Sequence, residues 1–109
     1  MTWPNRGDVC WIDLAPVAGH EQGGRRPVVI ISKDIFNLPS GLILACPVTS
    51  RSKGYRFEVP VPAGLPVSGV VLANQGRTLD WRARNAEYIC TLPESATAAI
   101  LERFRTLTA

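Results

Sequence analysis

The sequence predicts a mainly β domain: six or seven short strands curled into a small barrel, with one α-helix packed on it at the C-terminus. Three observations carry that expectation. Runs rich in Val, Ile and Leu are short and punctuated by glycine and proline, nine of each, as a chain of many turns requires. Only the last segment repeats its apolar residues at helical spacing. The length, 109 residues, suits one domain spanning the whole chain. A chain of that size buries about 60–70% of its unfolded surface, enough for a modest core.

The elements follow in order. "GDVCWIDL" (7–14) is β-rich and begins at a turn residue, so it reads as the first strand. "APVAGHEQGGRR" (15–26) holds three glycines and a proline and reads as a long loop. "PVVIIS" (27–32) is a β-branched run, with Pro27 tolerated at its first residue. "KDIFNLPSG" (33–41) has turn chemistry and room for one helical turn. "LILACPV" (42–48) is a third buried strand, and the polar, basic "TSRSKG" (49–54) a loop tip. "YRFEV" (55–59) alternates with period two, as a half-exposed strand does. Three prolines in "PVPAGLPVSG" (60–69) stop pairing or confine it to an edge. "VVLAN" (70–74), then the weaker "RTLDW" (77–81) and "AEYICTL" (86–92), complete the strands. In "PESATAAILERFRTL" (93–107), Ala96, Ile100, Phe104 and Leu107 fall on one helical face. Pro93 suits the first turn, Glu94 the positive end of the helix dipole, and Arg103 and Arg105 the negative end.

Charge is uneven. The chain carries 12 Lys and Arg against 9 Asp and Glu, but Arg25 to Arg84 holds nine basic residues and only three acids, Asp34, Glu58 and Asp80. A basic middle on a neutral frame suits a polyanionic partner. The cysteines (Cys10, Cys46, Cys90) are odd in number and far apart, in apolar strand-like surroundings. That excludes a disulfide framework and zinc-type spacing and predicts buried free thiols. "MTWPNRGD" has no apolar signal core, and no apolar run approaches the roughly 18 residues of a membrane span. A soluble, cytoplasmic protein is expected.

The segments "RGDVCWIDL", "GHEQGGRRPVVIIS", "PVTSRSKGY" and "VLANQGRTLDWRARNAEYI", in that order and spacing, resemble the MazF/PemK family of toxin–antitoxin ribonucleases. The resemblance runs from Arg6 into the terminal helix. It implies an SH3-like, CcdB-like barrel that forms a homodimer. The implied activity is sequence-specific, metal-independent cleavage of single-stranded RNA to a 2′,3′-cyclic phosphate and a 5′-hydroxyl, with no cofactor. A cognate antitoxin with an acidic, disordered tail is the implied partner.

The residues themselves fit such chemistry. With one histidine, no DxD and no HExxH, the chain lacks the clustered ligands of a metal-dependent phosphodiesterase. RNA carries its own nucleophile, the 2′-hydroxyl, so positioning, proton transfer and charge stabilisation suffice. Arg26, just before Pro27 and a buried strand, has a fixed backbone and a fork that matches phosphate oxygens while staying charged. Thr49 follows the third strand and emerges at its end, where its hydroxyl can be presented from a rigid base. The family's catalytic arginine and threonine match these two positions. Ser50, Arg51 and Lys53 continue into a loop suited to phosphate contacts. His20 and Glu21 are the candidates for proton transfer, since imidazole titrates near neutrality. A histidine matching His20 belongs to the site in the PemK-like branch, and a glutamate matching Glu21 in the MazF-like one. Asn74 and Gln75 carry amides able to read base edges, and Arg77 adds a further cation.

One departure separates the branches. The PemK branch places an arginine and an aspartate where this chain has Leu72 and Asn74, so the site stands closer to the MazF type. Tyr55, Phe57 and Trp81 offer aromatic faces for base stacking, although scarce aromatics favour packing roles for Trp81, Phe57 and Trp11. The glycines of "GHEQGGRR" are not a phosphate-binding P-loop: the following lysine and hydroxyl residue are missing, and a strand follows where a helix should. Two other readings of the same barrel stand alongside. One is a non-enzymatic, CcdB-like toxin that binds a protein such as DNA gyrase; the other is an SH3-like nucleic-acid-binding module without chemistry.

Overall fold

The computed structural model describes residues 3–15, 19 and 24–109. Its strands are β1 (Asp8–Asp13), β2 (Arg25–Ile30), β3 (Leu42–Thr49), β4 (Glu58–Pro60), β5 (Val70–Leu72), β6 (Arg77–Asp80) and β7 (Glu87–Thr91). Helix α1 (Asp34–Ser40) joins β2 to β3, a 3₁₀ turn (Ala73–Gln75) joins β5 to β6, and α2 (Glu94–Arg105) closes the chain. Every pairing is antiparallel, in the order β4-β5-β3-β2-β1-β7.

The eight-residue β3 is the hub. One edge pairs with β2 through Ala45–Pro47. The other takes β6 along Leu42–Ala45 and then β5 at Val48 and Thr49. Because β5 and β6 share that edge, the 3₁₀ turn between them stands beside the middle of β3. The expected mainly β architecture with a terminal helix is present, but the sheet is not closed: among the described residues β4 and β7 end the path without pairing to each other. β4 stops at Pro60, and Pro62 and Pro66 follow, so no run of donors extends the ladder.

Period-two alternation buries both faces. Val9, Val29, Cys46, Val48 and Val71 form one core with Leu92, Ala96 and Ile100, which places α2 over that face. Cys10, Ile12, Val28, Ile30, Ile43, Ala45 and Leu79 form the other, with Trp3 and Trp81 packed at its margin. No helix among the described residues is long and apolar enough to cross a membrane.

Boundaries moved where local patterning meets tertiary contacts. β2 begins at Arg25, so Pro27 is its third residue, not its first. Leu14 N–H donates to Gly24 C=O at 2.9 Å; counting on from that pair puts Pro27 at a non-hydrogen-bonded site opposite Trp11. β3 pairs with β2 only from Val28, so the missing N–H leaves no ladder bond unmade. Residues 33–41 form a seven-residue helix rather than one turn, stopped by Gly41 at φ +73°. "YRFEV" yields only the three-residue β4, and "VVLAN" bends into the 3₁₀ turn after Leu72. Helix α2 ends at Arg105, leaving Leu107 beyond it and exposed.

Candidate functional site

The site is built from two strand ends. The β2–β3 ladder pairs Val28 with Pro47 and Ile30 with Ala45. Extending that register by two residues sets Arg26 opposite Thr49, on the same face of the sheet. Both side chains line a cleft of about 800 Å³. Arg26 is half-buried, and Thr49 is buried at 6% exposure. Thr49 Oγ1 accepts the Arg51 N–H at 3.2 Å, so the hydroxyl is oriented while its own proton remains available to donate.

Three further segments complete the walls. Ser50, Arg51 and Lys53 enter from the loop after β3, together with Tyr55, which is 55% exposed. Asn74 and Gln75 enter from the 3₁₀ turn, and Leu72 from the end of β5. The turn is held by Ala73 N–H donating to Phe57 C=O at 3.0 Å. It is also held by Phe104 of α2, packed against Gly76 so closely that a Cβ there would lie 2.7 Å from its ring. Helix α2 thus supports one wall from behind, and its Arg103 Nε donates to Arg56 C=O at 2.9 Å, tying the helix to the loop of another wall.

Glu58 also lines the cleft and was not singled out by sequence reasoning. Alternation in "YRFEV" marks it as an outward polar residue, yet it is only 8% exposed. Its carboxylate accepts bonds from Ser52 Oγ (2.7 Å), Lys53 N–H (2.8 Å) and Gly54 N–H (3.2 Å). These donors, led by the Lys53 N–H, hold the carboxyl below the usual glutamate range.

Several basic residues of the middle segment fall elsewhere. Arg77 is half-buried on β6, outside the cleft lining, and its Nη1 donates to Leu14 C=O at 3.3 Å. Arg84 Nη1 donates to Asp13 C=O at 3.0 Å and Ala15 C=O at 2.7 Å. Arg25 bridges Asp13 at 3.0 Å and Glu87 at 2.6 Å. Part of the basic middle is therefore spent on the exit of β1 rather than on a partner. His20 and Glu21 lie outside the described residues. Trp81 packs edge-on against Trp3, donates its Nε1–H to Asn37 C=O at 3.2 Å and carries Arg82 on its face, so it is structural. Phe57 is half-buried, whereas Trp11 is 41% exposed on β1. Among the described residues, no three His, Cys, Asp or Glu side chains stand close enough together to hold a metal ion.

The cleft can therefore grip a phosphodiester: a guanidinium for the non-bridging oxygens, an oriented hydroxyl beside it, and cations and amides along the strand. The profile of the PemK-like, MazF-like toxin of type II toxin–antitoxin systems matches residues 5–108. The endoribonuclease toxin MazF of Escherichia coli (strain K12) is 46% identical over 83 residues, covering 76% of this chain and 74% of that one. A crystal structure of MazF from Deinococcus radiodurans superposes with a TM-score of 0.93 at 50% identity, covering 96% of each chain. A MazE–MazF structure from the same organism superposes with a TM-score of 0.87 at 48% identity, covering 99% of this chain and 97% of that one.

Proposed function

The chain belongs to the family of PemK-like, MazF-like toxins of type II toxin–antitoxin systems, and from that premise we propose that it is an endoribonuclease toxin, cleaving single-stranded RNA and neutralised by a cognate antitoxin. The observation that carries the chemistry is the meeting of Arg26 and Thr49 in one basic cleft. A gyrase-binding toxin or a passive binding module needs neither residue there, and relatives at this level of identity are named endoribonucleases.

In this reading the substrate breaks its own backbone. The RNA 2′-hydroxyl attacks the adjacent phosphorus, the P–O5′ bond opens, and the products are a 2′,3′-cyclic phosphate and a 5′-hydroxyl. Arg26 neutralises charge that builds on the non-bridging oxygens, as a stabiliser rather than a base. The Thr49 hydroxyl donates to the same phosphate. Glu21 or His20 takes the 2′-proton, and a proton is returned to the leaving 5′-oxygen. Ser50, Arg51 and Lys53 hold neighbouring phosphates, Asn74 and Gln75 read base edges, and Tyr55 stacks on a base. Arg77 acts indirectly, by holding the Leu14 carbonyl just beyond the end of β1.

The same reading makes the toxin a cytoplasmic homodimer whose antitoxin lays an acidic tail along the cleft. Apolar side chains at the surface, Ile35 (80% exposed) and Phe36 among them, are consistent with a further protein contact.

The test is incubation of the purified chain with a long single-stranded RNA in EDTA. The expected result is site-selective cutting with cyclic-phosphate ends; intact RNA, or a strict need for divalent ions, overturns the reading. Arg26→Ala should lower cutting at least about 10²–10³-fold with an unchanged circular-dichroism spectrum, and wild-type cleavage by that variant removes the central assignment.

A further inference from the structure

A carboxylate in the wall of a polyanion-binding cleft is electrostatically misplaced. Glu58 faces the same cleft as Arg26, Arg51 and Lys53, so by charge alone it weakens the field that draws RNA in. Its bonding explains why it is tolerated. Donors converge on it from consecutive residues, Ser52 Oγ, Lys53 N–H and Gly54 N–H at 2.7–3.2 Å, with the Tyr55 N–H beside them. Gly54 takes φ +74°, a left-handed conformation that glycine adopts readily, where the chain turns back toward Glu58. The ring is closed by Glu58 N–H donating to Tyr55 C=O at 3.1 Å. Successive N–H groups aimed at one point form an anion-binding concavity, and here the chain's own carboxylate fills it.

The loop so pinned carries the exposed side chains of Arg51, Lys53 and Tyr55. Its other end is fixed by the Arg51 N–H on Thr49 Oγ1. Without the carboxylate, the Lys53 and Gly54 N–H groups and the Ser52 hydroxyl would turn to water, and of these bonds only the Arg51 N–H on Thr49 Oγ1 and the Glu58 N–H on Tyr55 C=O would still tie the loop, at its two ends.

We propose that Glu58 is a positioning residue for RNA binding, whose buried carboxylate gathers Ser52, Lys53 and Gly54 into the phosphate-facing wall of the cleft. The inference rests on the ribonuclease reading above, and it makes a prediction opposite in sign to simple electrostatics. Removing a negative charge from a cation-lined cleft should tighten RNA binding; removing the anchor of the wall should weaken it.

The experiment uses the full chain and a single-stranded RNA cut by the wild type. Glu58→Gln keeps one acceptor oxygen but turns an amide N–H toward a loop donor. It should raise KM about tenfold, the effect of losing roughly 1.4 kcal/mol of binding, with kcat changed less than threefold. Ser52→Ala removes one donor from an exposed residue and keeps the charge; it should raise KM two- to threefold. The dissociation constant of Arg26→Ala for uncleaved RNA should rise in parallel when Glu58→Gln is added, at every salt concentration. If Glu58→Gln fails to fold by circular dichroism, Ser52→Ala alone decides, and an unchanged KM in that variant overturns the proposal. A lower KM or tighter binding in Glu58→Gln overturns it in favour of charge repulsion. Equal losses in kcat with KM unmoved overturn it in favour of a catalytic or general structural role. Failure of the wild type to cut RNA would defeat the ribonuclease reading instead, so the two failures are distinct.

Discussion

Gly69 lies directly against the backbone of Thr49: a Cβ built on it would sit 2.2 Å from the Thr49 carbonyl oxygen and 2.9 Å from the carbonyl carbon. The glycine has φ +117°, and its own carbonyl accepts the Val61 N–H at 2.9 Å. It precedes Val70, the register partner of Thr49. The last residue of β3 is thus held from the β5 side by a backbone contact that admits no side chain.

Gly69→Ala should therefore do two things. The clash and the left-handed φ together should cost about 2–4 kcal/mol of stability, read as a lower urea midpoint with an unchanged slope. The residual folded fraction should also cut RNA more slowly, because Thr49 must shift. Normal specific activity with normal stability would show that the backbone there is not constrained.

How much of this was legible beforehand differs by element. The strands around Val9, Val29 and Cys46 announced themselves through β-branched runs, and α2 through the spacing of Ala96, Ile100 and Phe104, because burial imposes a period on the sequence. Arg26 and Thr49 were legible because each borders an unmistakable strand, and a strand end has a defined direction. Glu58 was not: alternation reports which face a residue occupies, whereas its burial comes from a loop folding back on it. Nor were Arg77 and Arg84, whose carbonyl partners are 63 and 71 residues away; a basic residue looks the same in sequence whether it faces phosphate or backbone. The open edge of the sheet was likewise hidden, since it depends on which strands stop short.

Gly76 and Phe104 should prove coupled. A Cβ at Gly76 meets the Phe104 ring at 2.7 Å, with Cys46 Sγ next at 3.4 Å. Gly76→Ala is expected to cost about 1–3 kcal/mol by overpacking, and Phe104→Ala about 2–3 kcal/mol by loss of partly buried aromatic area. The double variant should cost clearly less than the sum, since the smaller residue makes room for the methyl group. Strict additivity in urea melts would separate the two sites.

The buried thiols should be inert. Burial pushes Cys10 and Cys46 up to about 12, aided at Cys10 by Asp8, while half-exposed Cys90 is raised by burial and Asp8. Native protein at pH 8 should show at most one slow equivalent toward Ellman's reagent, from Cys90, and three in denaturant. Because the folded thiols bind protons more tightly than unfolded ones, their contribution is complete below the unfolded value of about 8.5–9. Stability should fall as the pH rises beyond that, and rapid labelling of two or more cysteines in the folded state would contradict the burial.

Acid should act oppositely, through Asp13 and Glu58. Asp13 accepts Asn85 Nδ2 at 3.0 Å and pairs with Arg25; the Asn85 bond and then the Arg25 bond hold its carboxyl below the usual range. Glu58 is lowered by its loop donors. A carboxyl with a depressed folded pKa contributes stability above its unfolded value, near 4, and loses it as the pH falls through the folded one. Melting temperature should therefore hold steady from pH 7 to about 5 and decline below about 4. Asp13 lies at the surface, where water screens the pair, so Asp13→Asn should soften that decline only slightly. Glu58→Gln should soften it more, because its carboxylate is enclosed by its donors. A decline of equal steepness in wild type and Glu58→Gln would mean that the loop donors do not distinguish the charged carboxylate from its neutral amide.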